Sequence, residues 1–361
     1  MERKENSILN SKEYHEGKLI LKSRPRVLFL ELTRNCNLHC TMCRPYNWYR
    51  SDWFMNEDIL EKVRKELFPY VDIVDLRGFG ESSLDNRLIN LSKELNNNGV
   101  RTMLYSNLGT QDESYWDKLV STGINIAISI ESGDNVKYSK IRRGGNLDRV
   151  KKNIIACVKA ATKNNLPFFT TVLSDDTLYE LKGLIDFAHE CGIKKIQLNP
   201  ISIQNPKNPS GLSHYGFLNL TKNIVKYEFD MLVKYAKKKN VYIELGANMF
   251  NENNVNKNKC LHPWSYVFVR YDGEIGFCDH LVRQDTAMMG NIGKSNFMNI
   301  WNSEKYIEVR KSHLEKKFKT LEEKRIECEW CDLNRYANCE GNIEKEFSPI
   351  ELEEYIKKNL E

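Results

Sequence analysis

Three cysteines, Cys36, Cys40 and Cys43, lie close together in the segment ELTRNCNLHCTMC, directly after an apolar run. Clustered thiolates bind metals, and a structural zinc ion takes a closed set of four ligands, often from two C-x2-C pairs. A four-iron cluster held by three thiolates leaves one iron open to another ligand. The absence of a fourth nearby cysteine therefore favours a cluster with an open iron, with His39 as the alternative fourth ligand.

The segment that must position these thiols alternates short β-rich runs with amphipathic stretches of helical length. Such βα alternation predicts a parallel sheet with crossover helices, which is an α/β fold. Six units are too few for a closed eightfold barrel, so we expect an open partial barrel, a TIM-like (β/α)6 arrangement, or a doubly wound sheet. The six strands are predicted at residues 26–32, 71–80, 100–107, 124–132, 168–173 and 195–201.

In such folds ligands bind where the parallel strands end, at their carboxyl edge. The three cysteines follow the first predicted strand, and further polar residues fall at the ends of other strands. These are Glu81, Asn107, Ser129, Glu131 and Asn199. Together with the thiols they predict one functional rim.

The last third of the chain reads as a smaller α+β domain. Asp272-Gly273, between two β-rich runs, predicts a hairpin that brings Cys260 and Cys278 to its open end. A helix at 220–240 precedes an asparagine-rich linker, and a capping pattern predicts a terminal helix. The predicted divisions are an N-terminal extension, the barrel with its connecting helix, the small domain and the C-terminal helix, at 1–23, 24–247, 248–345 and 346–361.

Composition narrows the class of protein. With 361 residues and 41% hydrophobic content the chain can bury a sizeable core, and neither a signal peptide nor a long apolar segment is evident. We therefore expect a cytoplasmic protein, in which ten cysteines serve metals or chemistry instead of disulfides. Cys157 and Cys191 are interpreted as structural. A net charge of +5 spread along the chain argues against a nucleic-acid partner, and without a long apolar segment no membrane partner is expected.

Three motifs carry a family resemblance: CNLHCTMC after the first strand, GFGESS after the second and SIESGDNVKYSKIRRGG in the fourth. Through these motifs, residues 24–205 resemble the radical S-adenosylmethionine (radical SAM) superfamily. The resemblance implies a [4Fe-4S] cluster bound by the three cysteines of the first motif. It also implies that the amino group, ribose or carboxylate of SAM is contacted by Gly80, Glu81, Asn107, Ser129, Glu131 and Arg142 or Arg143. GFGESS departs from the family's Gly-Gly-Glu-Pro, and Glu131 stands where Asp is usual.

The C-terminal third resembles the SPASM or shortened twitch auxiliary-cluster domain of the same superfamily. Cys260, Gly273 and Cys278 fit its opening pattern, and CEWCDLNRYANC adds three more cysteines. Five thiols cannot fill two clusters, so the resemblance implies one auxiliary [4Fe-4S] cluster, with structural zinc as the alternative. The implied ligands are Cys260, Cys278, Cys328 and Cys331. Cys339 is left as a spare, a replacement ligand or a functional thiol.

The resemblance implies an enzyme that reductively cleaves SAM to a 5'-deoxyadenosyl radical. This radical would abstract a hydrogen atom from the substrate. An auxiliary cluster suits oxidation (dehydrogenation), whereas hydrogen return from Cys339 would give epimerisation. Only about 25 residues precede the first strand, which favours a small polyol, sugar or aminocyclitol of natural-product biosynthesis over a ribosomal peptide. A peptide-modifying maturase and a non-catalytic zinc scaffold are the alternatives. The expected partner is a one-electron reductant such as flavodoxin or ferredoxin.

Overall fold

The structure is a computed structural model that describes residues 1–43, 50–200, 222–246, 259–281, 285–324, 326, 328 and 350–359. The chain divides into two compact units, and each unit is assembled from three separate stretches. The first unit contains residues 1–35, 49–103 and 252–346. The second contains residues 36–48, 104–251 and 347–361. The domain boundaries expected at residues 23, 247 and 345 stay a prediction.

The described residues form the following strands: β1 (Val27–Leu30), β2 (Ile73–Asp75), β3 (Arg101–Ser106), β4 (Asn125–Ser129), β5 (Phe168–Leu173), β6 (Lys195–Pro200), β7 (Tyr242–Leu245), β8 (Tyr266–Val269), β9 (Glu274–Gly276), β10 (Gly290–Asn291) and β11 (Ile350–Glu351). The six strands predicted from βα alternation correspond to β1 to β6. The α/β class with a parallel sheet is confirmed.

The helices are α1 (Arg3–Glu16), α2 (Glu57–Glu66), α3 (Leu88–Asn97), α4 (Glu113–Val120), α5 (Asn135–Ile141), α6 (Leu147–Ala160), α7 (Asp175–Leu178), α8 (Leu181–Glu190), α9 (Lys222–Lys238), α10 (His262–Ser265), α11 (Phe297–Trp301), α12 (Glu304–Glu315), α13 (Lys319–Glu323) and α14 (Leu352–Asn359). In the described part of the chain, no helix has both the length and the apolar composition needed to cross a membrane.

In the first unit the hydrogen-bonded strand order is β10-β9-β8-β1-β2-β3. β1 runs parallel to both β2 and β8, with Val27 opposite Ile73 and Tyr266. All four β1 side chains are buried, which is why this strand reads as a continuous apolar run. The predicted hairpin forms from β8 and β9, and its first strand extends the sheet beside β1. The carboxyl end of β1 therefore has a neighbouring strand on each side.

In the second unit the order is β4-β5-β6-β7-β11, and β4 to β7 are parallel. The last strand, β11, pairs antiparallel with β7. The helix α9 buries Phe229, Leu232 and Ala236, whose spacing places them on one helical face. Cys157 is fully buried in α6 and Cys191 is buried at the end of α8, as their structural interpretation predicts. The asparagine-rich stretch 248–258 and the expected cap of the terminal helix lie outside the described residues.

Candidate active site

The three cysteines of the first motif lie in the segment that follows β1, and residues at the end of α5 hold that segment by main-chain hydrogen bonds. The N–H of His39 donates to the carbonyl oxygen of Arg143 at 2.9 Å. The N–H of Thr41 donates to the carbonyl oxygen of Ile141, also at 2.9 Å. The backbone on both sides of Cys40 is therefore held by main-chain hydrogen bonds.

The thiols of these cysteines interact with one another. Cys40 is buried, whereas Cys36 and Cys43 are partly exposed. Burial raises the pKa of the Cys40 thiol to about 12; Arg142 opposes this rise, while Cys43, Glu131 and Cys36 add to it. Thiolates are good metal ligands, and three thiols this close to one another can bind a single metal centre. The donor set therefore fits an iron-sulfur cluster.

Arg142 and Glu131 form a buried bidentate ion pair beside Cys40. Arg142 Nε lies 2.6 Å from Glu131 Oε2, and Arg142 Nη2 lies 2.7 Å from Oε1. The third guanidinium nitrogen, Nη1, lies 3.9 Å from the Sγ of Cys40. Glu131 follows β4 and Arg142 follows α5, so the pair joins both elements to the cysteine segment. The guanidinium of Arg142 is thus engaged by protein groups.

Asn107 follows β3 and reaches the same segment. Its Oδ1 accepts from the N–H of Gly109 at 2.7 Å, and its Nδ2 donates to Oδ1 of Asn37 at 3.0 Å. The same Nδ2 lies 4.0 Å from the Sγ of Cys36. Between these residues Leu108 takes a φ of 53°, a left-handed backbone that is unfavourable for a side chain of this type. The structure therefore places Asn107 beside the first cysteine.

A cavity of about 360 Å³ lies between the cysteine segment, α5 and the residues after β5. Ser129, the last residue of β4, is partly buried and lies in register with Thr170 of β5. Arg143 is exposed, in contrast to its neighbour Arg142. The residues that line the cavity include Thr41, Met42, Lys140, Arg143, Ser174 and Thr177. Its volume is in the range of small-molecule sites.

In the first unit, the GFGESS loop after β2 requires glycine at Gly80. A Cβ atom there would lie 2.1 Å from the carbonyl oxygen of Thr33 and 2.6 Å from that of Asn35. The N–H of Glu81 donates to the same Asn35 carbonyl at 2.7 Å. The loop is therefore packed against the backbone that leads directly into Cys36. The buried Glu81 carboxylate accepts from the hydroxyl of Ser83 at 2.6 Å.

Glu31 is a buried carboxylate that our sequence reasoning did not identify. It follows β1, and its Oε1 accepts from the N–H of Phe79 at 2.9 Å, within the GFGESS loop. Its Oε2 lies 3.3 Å from Nη2 of Arg34. A Cβ atom on Gly78 would lie 2.4 Å from the Cγ of Glu31, so the loop passes close over it. An acidic residue at the end of an otherwise apolar strand was the signal that could have revealed it.

The second cysteine group lies in the first unit around the β8–β9 hairpin. Gly273 in its turn has a φ of 84°, which favours glycine, as the Asp-Gly signal predicts. Cys260 precedes α10 and Cys278 follows β9, and both are buried, as is Cys328. Cys331 and Cys339 lie outside the described residues. Because soft thiolates suit iron-sulfur clusters and zinc alike, this part of the donor set fits an auxiliary cluster.

Two further potential metal ligands accompany Cys278, and sequence reasoning missed both. The Nδ1 of His262 lies 3.4 Å from the Sγ of Cys278. One ligand atom each of His262, Cys278 and Asp279 lie within 4.8 Å of one another. Asp279 also pairs with Arg77 at 3.5 Å. The position of His262, two residues after Cys260, was the signal in the sequence.

Comparison with known sequences bears on both cysteine groups. Residues 30–188 match the radical SAM superfamily, and residues 260–339 match the SPASM iron-sulfur cluster-binding domain. The tungsten-containing aldehyde ferredoxin oxidoreductase cofactor-modifying protein of Pyrococcus furiosus is 22% identical over 79% of this chain and 83% of its own length. A probable GTP 3',8-cyclase of Methanococcus aeolicus is 26% identical over 72% of this chain and 87% of its own.

Solved structures share the fold. Streptococcus suis SuiB bound to its precursor peptide SuiA matches with a TM-score of 0.62 and 16% identity, covering 85% of this chain and 71% of that chain. Native anSMEcpe with bound AdoMet matches with a TM-score of 0.61 and 17% identity, covering 92% and 97%. The two matched domains imply a [4Fe-4S] cluster, an auxiliary cluster and SAM as cofactors. The chain therefore carries a radical SAM domain at residues 30–188 and a C-terminal SPASM domain at residues 260–339.

Proposed function

We propose that this radical SAM enzyme takes a hydrogen atom from a small polyol, sugar or aminocyclitol and so oxidises or epimerises it. The observation that carries the proposal is the arrangement of Cys36, Cys40 and Cys43 after β1. Their thiols are close enough to influence one another, and the ion pair of Arg142 with Glu131 lies beside the buried one. Three thiolates can hold three irons of a four-iron cluster and leave the fourth open.

When bound, the cluster and SAM supply a carbon radical able to take hydrogen from an unactivated C–H bond, and the auxiliary cluster supplies a one-electron acceptor. The chain's own residues would bind and orient these groups. Cys36, Cys40 and Cys43 would hold the first cluster. The auxiliary ligands would be Cys260, Cys278, Cys328 and Cys331. An external reductant such as flavodoxin or ferredoxin would deliver the first electron.

Arg143 is the residue that we propose pairs with the carboxylate of SAM. The guanidinium of its neighbour Arg142 is already engaged by Glu131, whereas Arg143 is exposed and lines the cavity beside the cysteine segment. The same cavity includes the hydroxyl-bearing side chains of Ser174 and Thr177, which can donate to a polar ligand. The close packing at Gly80 would keep the GFGESS loop in a fixed position for the amino group.

The names of two relatives support a small substrate. One is a GTP cyclase and the other modifies a cofactor, and both GTP and cofactors are small molecules. The structure with a bound precursor peptide shares the fold only, because its identity to this chain is 16%. Oxidation would need the second electron to leave the substrate, whereas epimerisation would need a hydrogen atom returned by a donor such as Cys339.

The first test is an iron count on protein purified without oxygen and reconstituted with iron and sulfide. We expect about eight irons per chain, falling to about four when Cys36, Cys40 and Cys43 are all changed to Ala. That variant should also lose reductive SAM cleavage. Cys157→Ala is the matched control, because Cys157 is a buried thiol inside α6, and it should keep the full iron content. Zinc in place of iron would refute the proposal in favour of the zinc scaffold.

A second test separates the two outcomes once a substrate is found. The reaction is run in heavy water with the wild type and with Cys339→Ala. If deuterium from the solvent appears in the product only when Cys339 is present, the result supports epimerisation. An oxidised product that is unchanged in Cys339→Ala supports dehydrogenation. Turnover of a peptide with no turnover of polyols, sugars or aminocyclitols would refute the proposed substrate class and leave the radical chemistry in place.

A further inference from the structure

His262 is a buried side chain that the proposed chemistry does not use, although it contacts a proposed cluster ligand. Its Nδ1 lies 3.4 Å from the Sγ of Cys278, and only 4% of the residue is exposed. Its ring packs against Tyr266 of β8, with ring centroids 4.3 Å apart and the planes inclined at 40°. The imidazole therefore has a fixed orientation relative to the sulfur, and bulk water cannot easily replace it.

A hydrogen bond to a metal-bound thiolate changes the properties of the metal. The donor withdraws electron density from the sulfur and stabilises the reduced cluster, which carries one more negative charge. The effect is large in a buried site, because no water competes for the sulfur and the local dielectric is low. The reduction potential of a cluster is therefore sensitive to a single N–H near one of its sulfurs.

We infer that His262 donates its Nδ1–H to the thiolate of Cys278 and thereby raises the reduction potential of the auxiliary cluster. His262 is a positioning and tuning residue in this scheme, and it touches neither substrate nor SAM. The inference rests on the proposed role of Cys278 as a cluster ligand. It is independent of the identity of the substrate.

The neighbouring groups favour a donor role over direct coordination of a separate ion. Asp279, the third member of the group, has its carboxylate oriented toward Arg77 at 3.5 Å, and its Oδ1 lies 4.0 Å from the sulfur of Cys278. Arg77 in turn binds Asp75 at 2.5 Å. The carboxylate of Asp279 is thus shared with a cation, and it lies farther from the sulfur of Cys278 than Nδ1 of His262 does, at 4.0 Å against 3.4 Å.

The experiment uses the fully reconstituted protein and a potentiometric titration followed by electron paramagnetic resonance. His262→Leu fills the site with an apolar side chain and removes the hydrogen-bond donor, whereas His262→Asn keeps an N–H close to the position of Nδ1. We expect His262→Leu to make reduction of the auxiliary cluster about tenfold less favourable, a midpoint about 59 mV lower for one electron. His262→Asn should recover most of that shift. The iron content of both variants should stay at about eight per chain.

His313→Leu is the matched control, because His313 is also a buried histidine of the same unit and packs its ring against Phe318. Its substitution should leave the potential unchanged. An unchanged midpoint in His262→Leu, or equal shifts in His262→Leu and His262→Asn, would overturn the inference. Loss of about four irons in His262→Leu would also overturn it, because His262 would then be a cluster ligand. If Cys278→Ala keeps all its iron, the failure lies in the proposed ligand assignment.

Discussion

Replacing Arg142 by methionine would remove one partner of a buried ion pair and leave the carboxylate of Glu131 without its counter-charge. Two charge-assisted bonds, of 2.6 Å and 2.7 Å, join the side chains, which are only 9% and 1% exposed. Breaking such a pair from one side costs about 3–5 kcal/mol. Because domains of this kind are stable by about 5–15 kcal/mol, Arg142→Met should remove about a fifth or more of the folding free energy.

The double variant distinguishes the lost pair from lost packing. Glu131→Leu should be as destabilising as Arg142→Met, since it leaves the guanidinium uncompensated. Arg142→Met combined with Glu131→Leu leaves no buried charge, so we expect it to be much closer to the wild type than the sum of the single variants. Lys151→Met is the matched surface control in the same unit. Its ion pair with Glu190 is exposed, so its loss should have little effect.

The assay is urea-induced unfolding of the metal-free protein, followed by circular dichroism, for the wild type and all four variants. The coupling energy between the two positions should be at least about 3 kcal/mol, opposite in sign to the single losses. If the double variant is as unstable as the sum of its parts, the buried-pair reasoning is refuted. Single losses no larger than that of Lys151→Met would refute it as well.

Three other perturbations follow from particular contacts. Gly80→Ala places a Cβ atom against two backbone carbonyls and should lower the free energy of unfolding in urea by about 1–3 kcal/mol. Gly183→Ala is the control: no neighbouring atom lies within 4 Å of its added Cβ, so it should be neutral or stabilising. Equal effects of the two substitutions would contradict this reasoning. Arg143→Gln should weaken SAM binding about tenfold in equilibrium dialysis without loss of stability, and unchanged affinity would remove its proposed role. Burial, helped by Lys316 and His262, lowers the pKa of His313 to about 3 from its usual 6.5. The unfolded chain therefore binds the extra proton first, and stability should fall between pH 6.5 and pH 3 by up to about 1.4 kcal/mol per pH unit. His313→Leu should show a smaller fall, and an unchanged slope would be inconsistent with this cause.

The sequence alone predicted the elements that carry the chemistry. The apolar run of β1, the cysteine spacing after it and the Asp-Gly hairpin are local patterns, and each formed as expected. Local patterns are readable because hydrophobic periodicity and turn chemistry depend on neighbouring residues. The short extent of β2 was less predictable, since the chain leaves the strand to form the glycine-containing loop that packs on Thr33 and Asn35.

Which polar groups meet was decided only by tertiary structure. Sequence offered Arg142 and Arg143 as equal candidates for the SAM carboxylate, but burial and Glu131 engage the first and leave the second exposed at the cavity. The contact of His262 with Cys278 joins residues 16 positions apart through the packing of α10 against the hairpin. Such pairings depend on side-chain burial and orientation, which no spacing rule encodes. The sequence thus determined the radical SAM and SPASM domains and the spacing of their clustered thiols, whereas the three-dimensional packing determined which charges and donors surround those thiols.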